Sequence, residues 1–211
     1  MIGTALDLAL YAFVTLIALV NPISAAAVFV TVTEGRSPAD QAQIARRATI
    51  IAGITLIAFA FAGEALLNAL GVEIGAFKIA GGLLLLRVAF NMVFANAPDR
   101  DKARENAQTA PDPSVFPLAI PMISGPGALT ASVTLINPAP GHQVLNEVVF
   151  VVVALIVMGI TYVFMRGAEK LTKWIGEAGV DAISRIVGII VAAIAVQLVV
   201  NGVSGLTSLK L

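Results

Sequence analysis

The chain has 211 residues, 58% of them hydrophobic and only 12% charged, with a mean hydropathy of +0.94. Soluble domains carry about 25% charged residues, so this composition describes an integral membrane protein; the 13 basic residues balance 13 acidic ones and form no cluster interleaved with aromatics, so no nucleic-acid partner is expected. Cysteine is absent, which excludes disulfides, thiolate metal sites and cysteine nucleophiles.

A transmembrane helix needs about 20 apolar residues, and six windows qualify: 5–32, 48–70, 74–95, 115–136, 144–165 and 183–206. The expected fold is all-α and polytopic, with six transmembrane helices. The first window superficially looks like a secretory signal, since Ser24-Ala25-Ala26-Ala27 could pass for a cleavage region. No basic residue precedes the apolar run, however, and Asp7 lies inside its start, so cleavage is not expected. Near the middle of this window stands Asn21-Pro22. Asparagine is a favoured N-cap and proline a favoured first helical residue, so the pair reads as the start of a new half-helix within the span.

Ser37-Pro38-Ala39-Asp40 has the form of a capping box and places the start of the second helix ahead of its apolar part. The third helix holds Gly81-Gly82, then Arg87, with Asn91 one turn later on the same face. Arg87 is the one charge well inside a span, and a charge at that depth needs a partner. A substrate carboxylate, a carbonyl of helix four and lipid headgroups reached by snorkelling all qualify at this stage. Residues 98–114, polar, mixed in charge and rich in proline, form a linker on the cytoplasmic side. It divides the chain into a first three-helix repeat, residues 1–97, and a second, residues 115–211.

Helix four is interrupted at Ser124-Gly125-Pro126-Gly127, with Gly125 or Ser124 as the expected cap. The single histidine, His142, falls in a Pro/Gly turn and reads as a solvated loop residue. Trp174 precedes helix six as an interface anchor, and Gln197 lies within that helix. Basic residues concentrate after helices one, three and five, at Arg36, Arg46, Arg47, Arg100, Lys102, Arg104, Arg166, Lys170, Lys173 and Arg185. By the positive-inside rule those loops are cytoplasmic and both termini lie outside.

Internal similarity links the halves. Gly71-Val72-Glu73 followed by Lys78-Ile79-Ala80-Gly81 recurs as Gly179-Val180-Asp181 followed by Arg185-Ile186-Val187-Gly188, at offsets of 179 − 71 = 108 and 185 − 78 = 107; Asn21 and Gly125 differ by 125 − 21 = 104. Each half contains an odd number of spans, so the second enters the membrane in the opposite sense, as in inverted-topology repeats. Helices one and four are then equivalent, and their interruptions are expected to meet near the bilayer midplane.

Each half-helix N-terminus offers unpaired N–H groups and roughly half a positive elementary charge, and the preceding half-helix offers carbonyls. Donors beside acceptors suit a zwitterion. The flanking residues Ser24, Ala25, Ala26, Ala27, Gly81, Gly82, Ala128 and Thr130 are small, which restricts its size. The candidate substrate-binding set is Asn21, Pro22, Ile23, Ser24, Ser124, Gly125, Pro126, Gly127, Arg87, Asn91 and Gln197. No H-E-x-x-H, G-x-S-x-G or P-loop pattern occurs, so neither an enzymatic activity nor a metal or cofactor is expected. A coupling H+ or Na+ stays open, since no embedded carboxylate is available to carry a proton. A homo-oligomer stays open too, because Gly71-x-x-x-Gly75 and Gly81-Gly82 permit close helix contacts.

Asn21-Pro22-Ile23-Ser24, Phe77-Lys78-Ile79-Ala80-Gly81-Gly82 with Arg87 beyond, and Phe116-Pro117-Leu118-Ala119-Ile120-Pro121-Met122-Ile123-Ser124-Gly125-Pro126-Gly127 together resemble the MarC family of bacterial and archaeal inner-membrane proteins, over essentially the whole chain. The resemblance implies a six-helix protein of the wider LysE-like transporter group. That family is named for an association with multiple antibiotic resistance and includes transporters of small neutral amino acids such as glycine and alanine. On this basis Asn21, Pro22, Gly125, Pro126 and Gly127 are the residues carried over as substrate contacts. The expected function is secondary transport of a small neutral amino acid across the inner membrane, the two halves rocking about a midplane site. Efflux of amphipathic drugs and a non-transporting membrane scaffold or regulator are the alternatives.

Overall fold

A computed structural model of the chain describes residues 5–94, 112–136 and 143–208. Most of the linker and the turn carrying His142 lie outside the described residues. Among the described residues the regular structure is helical throughout: α1 (Ala5–Val20), α2 (Pro22–Val32), α3 (Pro38–Ala69), α4 (Ile74–Phe94), α5 (Ser114–Ile123), α6 (Pro126–Leu135), α7 (Gln143–Arg166) and α8 (Ala168–Ser208). Five stretches are long and apolar enough to cross a membrane, and the α5/α6 pair makes a sixth, bent by 57°. The protein is therefore a multi-pass integral membrane protein whose surroundings are a lipid bilayer.

The start of α3 follows from its sequence. Ser37 accepts the Asp40 N–H at 3.2 Å through its Oγ, Pro38 occupies the first turn, and the helix then runs for 32 residues. Its buried face is built from small residues at helical spacing, Ala45, Ala48, Ala52, Gly53, Ala60 and Gly63 among them. Lipid is as apolar as leucine, so van der Waals contact rather than water exclusion holds such helices together, and small residues permit it. Gly63 accordingly receives Val133 of α6, and Gly53 receives Met158 of α7.

Helices α4 and α8 form the most extensive pair, packed antiparallel through glycine. Gly75 and Gly202 meet backbone to backbone; Gly82 lies against Ala195 and Val199, and Gly188 against Ala89, Met92 and Val93. Elsewhere α1 packs on α7 as α5 packs on α3, α2 packs on α7 and α8 as α6 packs on α3 and α4, and α3 crosses α7. Every extensive contact thus joins an element of residues 5–94 to one of residues 112–208. The two sequence halves interlock instead of standing side by side.

Helix α5 departs from the simple expectation of an apolar half-helix. It winds in wide turns, with Leu118 N–H donating to the Pro113 carbonyl and Ser124 N–H to the Ala119 carbonyl, five residues back in each case. Phe116 and Ile120 are extended, and each precedes a proline, Pro117 and Pro121, through a cis peptide bond. Proline cannot donate, and it disfavours the α conformation in the residue before it, so two prolines four positions apart prevent a regular ladder.

Candidate functional site

The two interruptions are built differently. Between α1 and α2, Asn21 adopts a left-handed conformation with φ 47° and ψ 73°. Its Oδ1 accepts the Ser24 N–H at 3.2 Å and its Nδ2 donates to Ser24 Oγ at 2.6 Å, so the α2 N-terminus is capped from within. The Asn21 N–H still reaches the Ile17 carbonyl at 3.0 Å, and α1 and α2 continue as one span of 28 residues. The break here is a local unwinding at a single residue.

Between α5 and α6 the chain turns sharply. Gly125, extended at φ −73° and ψ 171°, is the N-cap of α6 and supplies no side-chain acceptor. Ser124, the other expected cap, faces backwards: its N–H and its Oγ donate to the Ala119 carbonyl at 2.9 and 2.8 Å. The first backbone donors of α6 after Pro126, at Gly127 and Ala128, thus begin a helix with no side-chain cap, among buried residues. The Ala119 and Ile17 carbonyls of the preceding helices are already engaged.

Helix α4 touches both interruptions. Met92 lies against Asn21, its Sδ 3.9 Å from Nδ2, and Leu85 lies over Gly127, where a Cβ would come within 2.6 Å of Leu85 Cδ1. Leu85 and Met92 are seven residues apart on one face of α4, which sets the two contacts about 10 Å apart along the helix. One turn before Leu85, Gly81 receives the Thr130 side chain of α6. Asn21, Pro22, Ser124 and Gly127 are buried, and Ile23, Ser24, Gly125 and Pro126 half-buried. These eight expected site residues flank the two interruptions.

Arg87, Asn91 and Gln197 are not part of that group. All three are exposed, on α4 and α8, and Gln197 Nε2 donates to Asn201 Oδ1 at 2.7 Å. Leu85 and Met92, in contrast, touch the interruptions and escaped the sequence reading. The signal was available for Leu85, which stands one turn beyond Gly81 on the face that the glycine marks as a close approach.

A second polar feature closes the end of the bundle where α3 begins. Asp112 accepts from Ser114 Oγ at 2.6 Å and from Ser114 N–H at 3.0 Å, and its Oδ2 lies 3.9 Å from Arg47 of α3. The Ser114 hydroxyl chiefly, then its N–H and the Arg47 and Arg36 guanidinium groups, hold the Asp112 carboxyl below the ordinary aspartate range, against a smaller opposing effect of burial. Asp112, Arg36 and Arg47, with Asp40, Gln43, Ile44 and Pro113, line a cavity of about 270 Å³.

Comparison with known proteins identifies the family. The chain is similar to the UPF0056 membrane protein MJ1677 of Methanocaldococcus jannaschii, at 35% identity over 196 residues, covering 92% of this chain and 95% of that one. It is similar to the UPF0056 membrane protein YvbG of Bacillus subtilis, at 30% identity over 202 residues and 93% and 94% coverage. The UPF0056 membrane protein YhcE of Escherichia coli matches at 29% identity over 211 residues, with 98% and 97% coverage. No solved structure matches the chain. The model of the MarC family integral membrane proteins matches residues 6–207, and the chain belongs to that family.

Proposed function

We propose that the protein is a secondary transporter of small neutral amino acids, of the glycine and alanine class, in the inner membrane. The observation that carries this reading is the N-terminus of α6, which starts among buried residues at a 57° bend with no side-chain cap. Backbone donors and roughly half a positive charge at such a place suit a carboxylate, and exclusion of water strengthens the attraction. The neighbouring Gly127, Ala128 and Thr130 leave room only for a small substituent on the substrate.

The pairing of elements supports an inverted repeat. Exchanging α1 with α5, α2 with α6, α3 with α7 and α4 with α8 turns the main helix contacts into one another, and the α3/α7 and α4/α8 pairs into themselves. The interlocked halves cannot rock as separate bodies, so the moving unit is a different one: the glycine-packed α4/α8 pair, displaced against the remaining helices. In the present conformation Leu85 covers Gly127, so the α6 N-terminus is occluded, and a shift of α4 opens it. With the basic loops cytoplasmic, both termini are outside.

Reconstitution into liposomes tests this. Counterflow of labelled glycine or alanine is expected, reduced in Pro126→Ala and in Asn21→Ala. Normal flux in both variants would remove the site assignment, and no flux of any small amino acid would remove the transport reading.

A further inference from the structure

Helix α4 has two covered sides, one against α8 through Gly75, Gly82 and Ala89, the other against α6 through Gly81 and Leu85. Arg87 lies on neither. At about 100° per residue it is turned roughly 140° from Gly82, and it is exposed, as are Leu83, Leu84, Val88 and Phe90 around it. Those apolar neighbours make this the lipid-facing side of the helix. Seven residues separate Arg87 from the helix end at Phe94, about 10 Å at 1.5 Å per residue, a depth from which an arginine side chain reaches the headgroup level.

The counter-charge has few sources. Of the acidic residues in the described spans, Asp7, Glu64 and Glu147 sit at the opposite membrane end from Phe94, given the direction of α1, α3 and α7, and Asp40, in the first turn of α3, accepts from Ser37 Oγ ahead of that helix's apolar part. Asp181, on the same side as Phe94, is already partnered. A second copy of the chain would therefore bring no carboxylate from its described spans to the depth of Arg87, and the Leu85 side of α4, not the Arg87 side, faces the interruptions. A second cation lies towards the same end of the helix pair: exposed Arg185 stands one turn before Gly188, which packs against Ala89, Met92 and Val93 near the end of α4.

We propose that Arg87, assisted by Asn91 and Arg185, binds the phosphate of an anionic phospholipid on the outer face of the α4/α8 pair. The guanidinium supplies two parallel donors to the phosphate, Asn91 one turn along the same helix supplies an amide, and the acyl chains lie along Leu83, Leu84 and Val88. The site is separate from the interruptions and does not depend on what the protein transports.

Thermal unfolding of the purified protein in mild detergent, without amino acids, tests the proposal. Added phosphatidylglycerol is expected to raise the unfolding midpoint by about 2–4 °C more than phosphatidylcholine does. This excess should fall by more than half in Arg87→Gln and persist largely in Arg87→Lys; native mass spectrometry should show bound phosphatidylglycerol retained by the wild type and lost from Arg87→Gln. Equal stabilisation by the two lipids would overturn the proposal, as would an undiminished excess in Arg87→Gln. Conversion of a dimer to a monomer by Arg87→Gln in phosphatidylcholine alone would assign the residue to a subunit contact instead. Each of these results leaves the liposome flux of glycine or alanine as a separate question.

Discussion

Gly75 and Gly202 pass so closely that a Cβ on either would meet the other's carbonyl oxygen, at 2.9 Å from Gly75 and 2.6 Å from Gly202. Backbone atoms cannot rotate aside as a side-chain end can, so any added methyl group must push α4 and α8 apart. Gly202→Ala is expected to destabilise the protein by about 1–3 kcal/mol, the range for overpacking. Gly159→Ala in α7, where the added methyl group meets nothing within 4 Å, is expected to change stability little. Thermal unfolding of the two variants under one detergent condition gives the comparison.

Asn21 combines a cap with a left-handed backbone, and two substitutions separate them. Asn21→Gly keeps the φ of 47° at no steric cost but loses the side-chain acceptor for Ser24 N–H; at an N-cap that change costs a few tenths of a kcal/mol. Asn21→Ala loses the cap, worth about 0.5–2 kcal/mol, and keeps a Cβ in the left-handed region without the local side-chain hydrogen bonds that let asparagine tolerate it. The expected order of unfolding midpoints is wild type, then Asn21→Gly, then Asn21→Ala. Equal midpoints for the two variants would mean that the backbone conformation contributes nothing.

The Asp112 carboxyl, lowered chiefly by the Ser114 hydroxyl and further by Arg47, links α5 to α3 across the junction of the halves. A carboxyl whose pKa is lower in the folded than in the unfolded state stabilises the fold above its unfolded value, and the contribution disappears as pH falls through the folded one. The midpoint difference between wild type and Asp112→Asn is therefore expected to be constant above about pH 5 and to shrink below about pH 4, where the unfolded chain begins to take up the proton. A difference that grew towards acid pH would reverse the sign and refute the assigned cause.

Legibility in the sequence follows the range of the interaction concerned. The limits of the spans and the Ser37 cap were readable because hydropathy and capping are local, and the fold shows both where the residues place them. The winding of α5 was not, although Pro117 and Pro121 were visible, because an apolar window says nothing about which carbonyl replaces a lost partner. At the candidate site, the residue types at Asn21 and Gly125 announced two interruptions and the Asn21 cap, but not that Ser124 turns back to the Ala119 carbonyl and leaves α6 without a side-chain cap. Arg87 illustrates the same limit: its depth was set by counting residues, whereas its direction depends on which faces of α4 the distant glycines of α8 and the threonine of α6 cover. Leu85 is legible only through its neighbour Gly81, one turn away on the same face, because a leucine in an apolar helix carries no signal of its own.

Leu85 provides the most direct test of how the α6 N-terminus is closed. It is 5% exposed, and its branched end lies where a methyl group on Gly127 would be. Truncation should lower stability, by up to about 2–5 kcal/mol as for other buried leucines, and at the same time uncover the Gly127 and Ala128 donors. In liposomes Leu85→Ala is expected to raise glycine and alanine flux several-fold and to admit larger neutral amino acids such as valine, while Leu85→Phe, which adds bulk at the same point, should reduce flux of every substrate. The opposed signs matter, because a residue that served packing alone would make both variants less stable and both less active. Loss of flux in Leu85→Ala in parallel with its loss of stability would therefore assign Leu85 to the scaffold, and the occluding role would pass to another side chain of α4.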